Sequence, residues 1–131
     1  MNAFLVDLEN KPGALADVAE ALASKGVNIT NVAGASCGSG GRAAITTADA
    51  AQTRQALQTI HATFQELEIT DVSLADQPGS LAKATRRLAS AGVNVEAIFP
   101  MGMTGREVGV GFVTNNPTKA REALSAVATA R

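Results

Sequence analysis

The sequence predicts an α+β chain of two ferredoxin-like βαββαβ repeats, with antiparallel sheets and helices on one face, the second repeat lacking its last strand. Three observations carry this reading. The first is a phrase written twice. VDLENKPGALADVAEALASKGVNI at 6–29 returns without a gap as VSLADQPGSLAKATRRLASAGVNV at 72–95, with twelve identical positions. That is an internal duplication. The second is the order of periods within each copy, β-prone run, turn, amphipathic helix, glycine stop. The third is that every connection is short, so consecutive elements must pack on one another.

Residues 3–9 (AFLVDLE) read as a strand and Asn10-Lys11-Pro12-Gly13 as a turn. Over 13–25, Leu15, Val18, Ala19 and Leu22 share one helix face, and Gly26 stops the helix. Strand character returns over 27–35. The Ser36–Gly41 stretch is a tight connection, so 42–47 is the hairpin partner. Asp49 caps a helix over 49–61, and 64–69 (FQELEI) alternates as a half-exposed strand. The second repeat runs as strand 70–75, helix 79–91, strands 94–100 and 106–113, and a last helix from Asn115-Asn116-Pro117-Thr118 to about 129. No length then remains for a fourth strand. The repeats are 1–69 and 70–131, and 64–75 is long enough to run as one strand serving both. Two interleaved right-handed crossovers put strand one in the centre and strand four at an edge. An edge left uncovered tends to pair with another chain, so a homodimer through sheet edges is expected.

Composition narrows the function. Of 131 residues, 46% are apolar but only 3% aromatic, with no Trp or Tyr. The core is therefore aliphatic, and Phe4, Phe64, Phe99 and Phe112 belong in it. Net charge is −1 and no basic run occurs, which argues against a nucleic-acid surface. No apolar stretch is long enough to span a bilayer. The first ten residues lack the basic start of a secretory signal, and the single Cys37 precludes an internal disulfide framework. A cytoplasmic protein is expected.

Catalytic candidates are scarce. His61 is the only histidine and ends a helix, where dipole and solvent account for it. Cys37 sits in a Gly-Ser hairpin without a neighbouring base. No cluster has metal-ligand spacing, and Gly38-Ser39-Gly40-Gly41 lacks the Lys-Ser/Thr of a phosphate loop. Neither an enzyme nor a cofactor is expected. Met101 and Met103 could line an apolar pocket, though core packing explains them too.

The repeated segment differs from these. A strand, a Pro-Gly turn and a helix start present free backbone N–H groups, which with the helix dipole suit a carboxylate. Gly13 and Gly79 lack a Cβ and allow close approach. Asn10 or Asp76 could accept from an ammonium group, and Asn28 and Asn94 offer further polar contacts. The same chemistry serves the chain alone equally well: Pro-Gly makes the turn and Gly-Val-Asn stops the helix.

The doubled pattern of Asn10 or Asp76, then Pro-Gly-x-Leu, an Ala/Leu-rich helix and Gly-Val-Asn-Ile/Val resembles the ACT domain, a regulatory amino-acid-binding module. Both copies match, at Asn10–Leu15 with Gly26–Ile29 and at Asp76–Leu81 with Gly92–Val95. The resemblance implies a free amino acid as ligand, bound between paired domains where the loop after strand one faces the neighbour's second strand. It implies side-by-side pairing into an eight-stranded sheet, and regulation of a partner enzyme or transcription regulator. Carried over, one site uses Asn10, Gly13, Ala14 and Leu15 and faces Val95 and Ala97. The other uses Asp76, Gly79, Ser80 and Leu81 and faces Ile29 and Asn31, with Asn28 and Asn94 from the Gly-Val-Asn triplets. A ligand-free assembly subunit is the alternative.

Overall fold

A computed structural model describes residues 1–127 and holds six strands and four helices. The chain divides into two compact units, Met1–Leu67 and Glu68–Arg131. The first unit comprises β1 (Asn2–Glu9), α1 (Ala14–Ser24), β2 (Ile29–Cys37), β3 (Gly40–Thr47), α2 (Ala50–Thr59) and the start of β4 (Phe64–Ala75). Its strand order is β2-β3-β1-β4, with β1 inside as the crossover rules require. β3 pairs antiparallel on both sides, setting Ile45 opposite Phe4 of β1 and Val32 of β2. Alternation along β1 sends Phe4 and Val6 into a core with Val18 and Leu22 of α1, Ile45, and Leu57 of α2. Phe64 joins them, its ring 6.0 Å from that of Phe4.

The second unit continues from β4 through α3 (Ser80–Ser90), β5 (Val95–Thr104), β6 (Glu107–Thr114) and α4 (Pro117–Ser125). The runs 64–69 and 70–75 form one continuous strand. The order is β4-β6-β5, antiparallel throughout. Val72 and Leu74 meet Ala84 and Leu88 of α3, Phe112 of β6 and Leu124 of α4. The last positions expected in α4, beyond 127, lie outside the described residues. On the opposite face of this sheet Gly111 permits a close packing: a Cβ on it would stand 2.9 Å from the ring of Phe99.

Three helices end alike. The amide of Gly26 reaches Ala23 O at 2.9 Å and that of Val27 reaches Leu22 O at 3.0 Å; Gly92 and Val93 repeat this at 3.0 and 2.9 Å. At the end of α2, His61 takes the glycine's place with φ 55°, its amide on Gln58 O and that of Ala62 on Leu57 O. His61 is a helix terminator held in a left-handed conformation, a role the dipole argument did not anticipate.

Helix starts divide into two kinds. Asp49 accepts from the Gln52 amide at 3.0 Å and Asn116 from the Lys119 amide at 3.1 Å, capping α2 and α4. Helices α1 and α3 start from Gly13 and Gly79 and have no side-chain cap. The expected helix face is also narrower than its period implied. Val18 and Leu22 are buried, but Leu15 is 51% exposed. The first turn of α1 overhangs the sheet rather than covering it.

Candidate functional site

Each uncapped helix start is held by its own hairpin. The Asn10 amide donates to Ser39 O at 2.8 Å, and its side-chain Nδ2 donates to Gly38 O at 2.9 Å. In the second unit the Asp76 amide donates to Arg106 O at 2.7 Å. The loop thus leans on the β2–β3 or β5–β6 turn and swings into the helix through a glycine with φ of 90° or 91°. Open space surrounds both glycines, so their conformation, not crowding, requires the missing Cβ. In the first turn, Asp17 N closes onto Gly13 O and Lys83 N onto Gly79 O, each at 2.9 Å. The intervening amides of Leu15 and Ala16, and of Leu81 and Ala82, are the donors a helix start cannot use internally.

A cleft opens beside each start. In the first unit, about 510 Å³ is bounded by Asn10, Ala14 and Leu15 on one side and Val32, Gly34 and Arg42 on the other. In the second, about 330 Å³ is bounded by Asp76, Ser80 and Leu81 against Ile98, Pro100 and Val110. Glu9 and Lys11 border the first cleft as an ion pair at 3.0 Å, which holds the Lys11 ammonium above its ordinary pKa, chiefly through its hydrogen bond to Glu9.

A protein-family comparison matches residues 3–65 to the ACT domain. Over that stretch, the first repeat, the chain is similar to the ACT domain. The whole fold has solved counterparts. Protein BT0572 from Bacteroides thetaiotaomicron aligns at 26% identity and a TM-score of 0.76, covering 95% of this chain and 86% of its own. The regulatory subunit of aspartate kinase from Thermus thermophilus aligns at 24% identity and a TM-score of 0.64, with 96% and 88% covered. The Thermus flavus subunit aligns at 22% and 0.68, with 96% and 90% covered. A search of curated proteins finds no match.

Within the two ACT-like repeats, the residues expected at the site separate into two groups. Asn10, Ala14 and Leu15 border one cleft with Gly13 at its helix start, and Asp76, Ser80 and Leu81 border the other with Gly79. Asn28, Ile29, Asn94 and Val95 border neither. Ile29 and Val95 pack against the cores. Asn94 is tied to the start of α4, its amide on Asn115 Oδ1 at 3.0 Å and its side chain on Glu96 at 3.1 Å. Asn31 donates to Thr46, and Ala97 lies opposite Val113. Within its own unit each loop meets Val32 or Ile98, 52% and 41% exposed. These two are equivalent in the repeat, and two exposed apolar residues at one repeated position were the signal that marked them.

A second hollow lies on the opposite side of each helix, and its charge has inverted between copies. Asp7, Asp17 and Glu20 border it in the first unit, Lys83 and Arg87 in the second. Cys37 is exposed at the end of β2, and Met103 is exposed rather than packed. Among the described residues, no group of three or more His, Cys, Asp or Glu could hold a metal, and no helix is long and apolar enough to cross a membrane.

Proposed function

We propose that this chain is a non-catalytic regulatory module of the cytoplasm that binds a free amino acid and passes its occupancy to a partner enzyme or regulator. The observation that carries the reading is the pair of uncapped helix starts beside open clefts, against capped starts on α2 and α4. A carboxylate at the amides of Leu15 and Ala16, or of Leu81 and Ala82, supplies the missing cap and meets the positive end of the helix dipole. The ammonium group lies toward Asn10 Oδ1 or the Asp76 carboxylate. The similarity of residues 3–65 to the ACT domain supports an amino acid as ligand, and the shared fold of aspartate kinase regulatory subunits supports an enzyme as partner. A ligand of this kind regulates only by binding one arrangement of the module more tightly than another.

Strands β2 and β5 end the strand order of their units and carry exposed Val32 and Ile98. We propose that a second copy covers these edges in a homodimer, which sedimentation at micromolar concentration tests. The same exposed edges favour the second reading, an assembly subunit without a small ligand.

A thermal-shift screen with the twenty amino acids separates the two. A ligand at a hundredfold excess over its Kd stabilises the folded state by roughly 2.7 kcal/mol, several degrees for a chain of this size. A selective rise is expected. A flat screen, confirmed by calorimetry, transfers the case to the assembly subunit.

A further inference from the structure

The two clefts descend from one, and the replacements between them define a ligand class. Repeat alignment sets Ala75 where the first cleft has Glu9, and Gln77 where it has Lys11. Strand register sets Gly109, opposite Ser73, where Arg42 stands opposite Asp7. Three charged groups at the first cleft have thus become uncharged in the second. The small residues bounding the first cleft have meanwhile grown: Gly34 is replaced by Pro100, Gly41 by Val108 and Ala43 by Val110. Among its described residues the second cleft has one formal charge, Asp76, which stands where the first has the neutral Asn10, at the mouth of the uncapped start of α3.

We infer that the second cleft is specific for an α-amino acid with an aliphatic side chain. Asp76 and the α3 start are complementary to the two ends of a zwitterion, opposite in sign and adjacent. Leu81, Ile98, Pro100 and Val110 then meet the side chain, where a charged or strongly polar group would lose its water without gaining a partner. The first cleft, with Glu9, Lys11 and Arg42 at hand, has no such preference. The inference rests on the amino-acid reading above and narrows it to one of its two sites.

Calorimetry with valine, leucine, isoleucine and methionine, against lysine, aspartate and threonine, tests it on the full chain and three variants. Ile98→Asp puts a charge into the second cleft, Val32→Asp does the same in the first, and Ala75→Glu restores the first cleft's carboxylate without touching an edge strand. Aliphatic binding is expected to weaken by at least about tenfold in Ile98→Asp and Ala75→Glu, and by less than about twofold in Val32→Asp. A circular-dichroism melt of each variant shows that it is folded, and Ala75→Glu carries the test if Ile98→Asp is not. Aliphatic binding that survives Ala75→Glu, or that is lost in Val32→Asp, overturns the inference. Binding confined to charged or polar amino acids overturns it too and leaves the amino-acid reading standing. Binding of no amino acid overturns both.

Discussion

Thr70 occupies in the second unit the place that Phe4 holds in the first, on the core face of its strand and opposite Phe112 as Phe4 is opposite Ile45. Its side chain is buried and its hydroxyl has no hydrogen-bond partner among the described residues. Phe4 packs on Phe64, and the second unit has no counterpart of Phe64 among the described residues. The larger Phe112 fills part of that volume in place of Ile45, and a threonine fits beside it. Thr70→Val keeps the shape and removes a desolvated hydroxyl. It is expected to raise unfolding free energy by about 1 kcal/mol, read by urea denaturation; a loss of stability would show that the hydroxyl is satisfied in solution. The duplicated glycines also argue at this scale. With φ near 90°, Gly79 admits no branched residue without backbone strain, so Gly79→Val tests the turn and not the ligand contact.

Between elements, Glu66 is the joint of the first unit. Its carboxylate on β4 accepts from Asn2 of β1 at 3.0 Å and from both Nε and Nη2 of Arg54 on α2, each at 2.9 Å. The Asn2 hydrogen bond is the main cause that lowers its pKa below the ordinary 4.5, Arg54 adding to it against the cost of burial. A lowered pKa means the folded state prefers the charged form. The stabilisation is therefore fully present above the ordinary glutamate pKa and is lost as pH falls below it through the folded-state value. Wild type is expected to exceed Glu66→Gln in stability at neutral pH, with the gap closing below about pH 4. A gap independent of pH would mean that the glutamine substitution acts through packing alone.

Element order was legible because glycine stops, turn residues and the helical period agree in both copies. Less visible was where a periodic residue stops being core. Leu15 keeps the helix period yet overhangs the sheet, since period reports a face and not how far the sheet extends beneath it. The hairpin strands also run further than their apolar runs, to Cys37 and Thr104, because backbone pairing continues through small and polar residues. His61 concealed its role because a left-handed helix stop is written as glycine in the other two cases.

For the whole molecule, duplication explains both what is shared and what differs. Twelve identities preserve turn, helix start and helix stop, the parts that build a cleft. Divergence is concentrated in what borders it, Glu9 against Ala75 and Gly34 against Pro100, and in the helix flank, Asp17 against Lys83. One scaffold thus presents two clefts of unlike chemistry. The loop and helix-start residues that border each cleft stand out in the repeat. The opposing wall does not, because Val32 and Ile98 reach the cleft only through strand pairing.

On the proposed reading a carboxylate caps the start of α1 or α3 through its backbone amides. Amide NMR of the full chain, titrated with the amino acid that raises its melting temperature and separately with that amino acid's carboxamide, tests it most directly. The Leu81 and Ala82 resonances, or those of Leu15 and Ala16, are expected to move with the amino acid and to stay in place with the carboxamide. Stabilisation by the amino acid with all four resonances unmoved would contradict it.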